Sequence, residues 1–146
     1  MFADQEEKLA TEGRQKYRGT ARIWLEALHF PRDESRHLDL KKVERLKACF
    51  KNGQCDRILR NHIPAVIDQP QLDTVLRDSS VSAENLLSNK DPHPFLKFPQ
   101  GYQLHCLHGR HRIEAAREAL TPRDRWWTVD LYLAGRCILN SSVTLD

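Results

Sequence analysis

Apolar residues along the chain recur in two rhythms, one of period two and one of period three to four, and the two alternate. Leu40, Val43, Leu46 and Phe50 form one apolar stripe between Asp39, a fair N-cap, and the Asn52-Gly53 stop, which predicts a helix. Ile113, Ala116 and Leu120 give a second stripe over 112–120. Strands are predicted at 22–30, stopped by Pro31, and at 62–67, where Pro64 suggests an edge position or the strand's beginning. From 102 onward Tyr102, Leu104 and Cys106 alternate with Gln103 and His105, and 126–133 reads as the strongest strand. Two short helical pieces are expected at 71–76 and 82–87, the second capped by Ser82. The 91–99 stretch holds three prolines in nine residues and reads as a surface loop anchored by Phe95 and Phe98, with folding over the site as a lid the alternative.

Residues 4–18 are charged with few apolar anchors, which predicts a peripheral helix, and 134–146 is polar apart from Cys137-Ile-Leu139. The expected layout is a charged N-terminal segment (1–20), one domain (21–133) and an irregular tail (134–146). Strands alternating with helices predict an α/β (α+β) domain, a small mixed sheet with flanking helices.

Composition narrows the class without choosing a ligand. Hydrophobic content of 40% and charge of 29% describe an ordinary globular chain. Twenty-three basic against 20 acidic residues leave +3, which permits a nucleic-acid partner without arguing for one. No apolar run approaches the ~20 residues of a membrane span, so no membrane partner is expected. Acids occupy the N-terminus where a signal peptide needs a basic then apolar start. Cys49, Cys55, Cys106 and Cys137 make no CxxC pair, so free thiols and an intracellular site, cytoplasmic or nuclear, are expected.

Chemistry concentrates where the 102–106 strand breaks at Gly109 and passes into a helix. Glycine lets the backbone approach a ligand, and the free amides of a helix N-terminus aim at it with the positive end of the dipole. Arg110, His111 and Arg112 crowd that same turn. Cations at a helix N-terminus oppose the dipole at about 0.3–1 kcal/mol each, and a bound phosphate removes the penalty. Gly109, Arg110, His111 and Arg112 are therefore the candidate phosphate cradle, with His108 beside it. His111 is the candidate proton carrier, a satisfied structural histidine being the alternative. The charged loop at 31–36 lies beyond the end of the first strand, a favoured place for ligand contacts in an α/β protein, against the plain reading of a solvated loop. His105, Cys106, His108 and His111 match no standard zinc spacing, so no protein-held metal is expected. Trp126 and Trp127 beside Arg123 and Arg125 read as packing ahead of base stacking.

The order of strand, charged loop, helix, Ile-Pro strand, strand, Gly109-Arg110-His111-Arg112 and Ala115-Ala116 helix resembles the N-terminal domain of the ParB and sulfiredoxin superfamily. Asn61-His-Ile-Pro-Ala-Val-Ile-Asp, Cys106-Leu-His-Gly-Arg-His-Arg-Ile and Arg125-Trp-Trp-Thr-Val-Asp-Leu-Tyr-Leu look more closely like a fungal family of unknown function. Its members are often cargo of large mobile elements. The superfamily resemblance implies nucleotide phosphates held at the Gly-x-x-Arg turn, with the 31–36 loop brought near them: Glu34 as a candidate catalytic base, Arg36 as a second phosphate contact, and Asp33 and Glu34 as candidate Mg²⁺ ligands. Sulfiredoxins carry their catalytic cysteine where this chain has Arg110, so the resemblance does not carry over sulfinic-acid repair. The fungal relatives usually continue past the Leu-Tyr-Leu strand, which implies a shortened copy or fragment.

The expected function is binding of a nucleoside triphosphate, CTP or ATP, with Mg²⁺, as an NTPase or phosphotransferase. The alternatives are a DNA-binding or nuclease-like module gripping backbone phosphates, and a non-catalytic homodimer-forming remnant of a longer protein.

Overall fold

The computed structural model describes residues 16–31, 38–53, 57, 61–88 and 90–134. In chain order the elements are β1 (Tyr17–Trp24), a 3-10 turn (Leu25–Ala27), β2 (Leu28–His29), α1 (Leu40–Lys51), β3 (Ile63–Ile67), α2 (Gln69–Asp78), α3 (Ala83–Leu87), β4 (Leu104–Cys106), α4 (Arg110–Ala119), a 3-10 turn (Pro122–Asp124) and β5 (Trp126–Leu133). The expected α+β architecture with a mixed sheet is what forms. Five strands run β1-β5-β3-β4-β2, with β1–β5 and β3–β4 antiparallel and β3–β5 and β2–β4 parallel.

One face of the sheet carries the core. Register places Gly19, Ala21 and Ile23 opposite Leu131, Val129 and Trp127, and Ile63 and Ala65 beside Val129 and Leu131. Against that face lie the helices. Phe50 of α1 tilts onto Trp127 at 5.7 Å between ring centroids, and a Cβ on Gly109 would lie 2.8 Å from Ile63 Cγ1. At Gly19 a Cβ would come 2.3 Å from the Leu86 carbonyl oxygen, so this glycine lets α3 sit directly on β1.

The opposite face is polar but organised. Thr20 Oγ1 donates to Asp130 Oδ1 at 2.7 Å, His62 Nδ1 bonds the same oxygen at 2.9 Å, and the Tyr17 hydroxyl bonds Thr20. Arg22 lies over the Phe95 ring at 4.1 Å and donates Nε–H to the His93 carbonyl at 2.6 Å.

Several expectations are corrected by this arrangement. The strand expected at 22–30 begins at Tyr17 and breaks at Leu25, where the 3-10 turn re-aims the chain into β2. Tyr17 and Arg18 are strand, not part of a peripheral helix, because alternate residues of β1 find core partners and the Asp130 network on its two faces. β3 is central, flanked by β5 and β4, so of the two places expected for Pro64 the edge is excluded and the strand's beginning holds: it is the second residue of β3, where its carbonyl still accepts Leu107 N–H at 2.9 Å. The 91–99 loop runs along the outer edge of β1, through Arg22 N–H to Pro94 O at 2.8 Å and Leu96 N–H to Arg22 O at 3.1 Å. It is no lid. The 134–146 tail, all of it beyond Ala134, lies outside the described residues, as do Cys55 and Cys137.

Candidate functional site

Parallel strands β2 and β4 end on the same side of the sheet, and the chain leaves both there, the topological position that favours ligands in open sheets. A cavity of about 430 Å³ opens at that point. Its walls are Phe30 and Pro31 after β2, Leu38 before α1, His105 and Cys106 of β4, and the 107–111 turn into α4.

Gly109 caps α4 in the left-handed region, at φ 100° and ψ 14°, and offers no side-chain acceptor to the helix. The close approach to Ile63 and the positive φ both require glycine here. The first intrahelical bond runs from Ile113 N–H to Gly109 O, so the Arg110, His111 and Arg112 amides precede the ladder and have no intrahelical acceptor. Arg110, partly exposed, lines the cavity, and among the described residues its guanidinium makes no ion pair or hydrogen bond. Three histidines line the cavity with it, and no described lining residue is a carboxylate. One guanidinium and three amides outside the helical ladder, with no described carboxylate, make a lining that suits an anion.

His111 is held from the side. Asp39, whose carboxylate accepts from the Lys41 and Lys42 amides to cap α1, donates its own N–H to His111 Nε2 at 3.0 Å. The N-termini of α1 and α4 therefore meet at this imidazole. Cys106 is inert: burial pushes its thiol up to about 12, outweighing the His29 amide and the Arg117 charge that act in the other direction. Farther along α4, Arg117 donates to Leu28 O at 2.7 Å and pairs with Glu114, fastening the helix to the β1–β2 connection.

The structure brings together Gly109, Arg110, His111 and His108 of the expected cradle. It does not bring Arg112, which is on the same turn but absent from the cavity wall. Successive helical side chains point about 100° apart, so three neighbours cannot all face one ligand. Glu34, Arg36 and Asp33 lie outside the described residues; Pro31 and Leu38, on either side of them, both line the cavity. No group of three or more potential metal ligands occurs among the described residues. Trp127 is fully buried with its indole N–H on Asn61 O, and Trp126 packs between Phe95 and Arg57. Phe30, Pro31, Leu38, Leu107 and Asp39 were not singled out from the sequence as site residues. The sequence signals at that place are the strand end at Pro31 and the charged 31–36 loop beyond it.

The chain matches the family described as "Protein of unknown function (DUF3723) N-terminal domain" over residues 16–144, and it belongs to that family. No curated protein and no solved structure matches it. No helix among the described residues is long and apolar enough to cross a membrane.

Proposed function

We propose that this DUF3723 N-terminal domain binds a phosphate ester at the cavity above Gly109, a nucleoside triphosphate being the ligand that suits the walls best. The observation that carries the reading is the Arg110 guanidinium, without a partner among the described residues, at the uncapped N-terminus of α4, in a cavity whose described lining has no carboxylate. Phosphate oxygens would accept from the α4 amides and from Arg110, while Phe30, Pro31, Leu38 and Leu107 offer apolar surface to a base or sugar. The resemblance to ParB and sulfiredoxin domains points the same way. No described lining residue is a carboxylate, and in this reading Mg²⁺ arrives on the phosphates. Hydrolysis or phosphoryl transfer would rest on positioning and charge neutralisation.

A thermal-shift panel of CTP, ATP, GTP and duplex DNA, with and without Mg²⁺, tests this. A nucleotide at one hundred times its Kd stabilises by about 2.7 kcal/mol, roughly 5–10 °C in a domain of this size. Arg110→Ala abolishes most of the shift, whereas Arg112→Ala leaves it nearly intact. Stabilisation by DNA alone, with steep salt dependence, would replace the nucleotide reading with the nucleic-acid one.

A further inference from the structure

The geometry points to His111 as a proton-operated latch between the anion cavity and the N-cap of α1. This rests on the anion reading of the cavity. An N–H donor aimed at Nε2 requires a lone pair there, so the ring bonded to Asp39 is neutral and carries its proton on Nδ1. Protonation turns Nε2 into a second donor. The Asp39 N–H then faces an N–H, and the bond between the two helix ends is lost.

The charges around the ring decide when this happens. From α1 come Asp39, already accepting two backbone amides, and Lys41 and Lys42 in the first turn. His111's own helix supplies Arg110 and Arg112, with Glu114 already paired to Arg117. The turn and β4 contribute His108 and His105. In the empty site the neutral, latched ring is the one the Asp39 N–H bond holds. A dianion bound beside the ring favours its protonated form, which gives the anion a charged donor. Anion binding and release of Asp39 are thereby the same event, and by linkage the anion binds more tightly as the pH falls.

Long-range ¹H–¹⁵N spectra of the imidazoles, recorded across about pH 5 to 8 with and without sulfate, test this directly. Sulfate remains a dianion throughout that range, so any pH dependence belongs to the protein. The latch predicts a free His111 in the Nδ1–H form at the alkaline end. It also predicts protonation moved to higher pH by sulfate, and sulfate affinity about tenfold higher at the acid end for each unit of that displacement. His111→Gln, whose amide oxygen still accepts from Asp39 but takes no proton, should bind sulfate with a weaker pH dependence than wild type, the remainder belonging to His105 and His108. An Nε2–H tautomer, or sulfate that perturbs the Gly109 and Arg110 amides without moving His111 protonation, overturns the latch and leaves the site reading standing. If those amides do not respond at any pH, the site reading falls and the latch with it.

Discussion

At the scale of single residues, position 106 shows how burial decides chemistry. Cys106 lies one strand residue from a cationic turn, where a thiolate would be welcome, yet its side chain faces the core beside Leu104. Desolvation holds the thiol up at about 12, so at pH 8 only about one molecule in ten thousand carries the thiolate. Iodoacetamide should leave Cys106 unmodified in the native protein and modify it once urea has unfolded the chain, as read by mass spectrometry. Rapid native alkylation would place the thiol in solvent and contradict the strand register. Arg110 and Arg112 make the same point with charge: two identical side chains on one turn, of which only the first reaches the cavity.

At the scale of elements, the polar face of β1 is held by a shared acceptor. Thr20, 1% exposed, links Tyr17 to Asp130, and His62 bonds the same carboxylate oxygen. Thr20→Val keeps the shape and removes the hydroxyl, leaving Tyr17 and Asp130 each one partner short. A loss of about 1–3 kcal/mol in urea unfolding is expected. This network also explains what the sequence hid. Helices α1 and α4 and strand β5 were legible because each buries one stripe or one face, so period and burial coincide. Strand β1 was misread at both ends, since Tyr17, Thr20 and Arg22 are satisfied by residues far along the chain: Tyr132, Asp130 and the 93–95 loop. The Gly109 turn was visible as a local motif. Its Asp39 contact, which spans 72 residues, was not.

At the scale of the whole molecule, both edges of the sheet are occupied differently. The β1 edge is closed by the 93–96 segment, which packs His93 edge-on to His62 at 5.8 Å between rings. Burial first, then the neighbouring His62, holds the His93 imidazole below its ordinary value. A base depressed in the folded state costs nothing while both states are neutral. Its penalty grows as the unfolded chain begins to bind the proton, so stability is full above about pH 6.5 and declines as the pH falls below it. His93→Asn should flatten the fall in Tm between about pH 7 and 5 relative to wild type, measured by calorimetry in matched buffers. An unchanged slope would mean that other groups account for the acid sensitivity.

The β2–β4 edge is where the chain opens, and the proposed anion seat there is built from Gly109, Arg110 and the first amides of α4. The most direct measurement is a calorimetric titration of a Mg²⁺–nucleoside triphosphate into wild type and Arg110→Ala. One site per chain, weakened at least about tenfold by the substitution, is the predicted result, the loss expected when a desolvated charge-assisted contact is removed. A folded wild-type protein that takes up none of CTP, ATP and GTP, or an Arg110→Ala variant that binds as tightly as wild type, would contradict it.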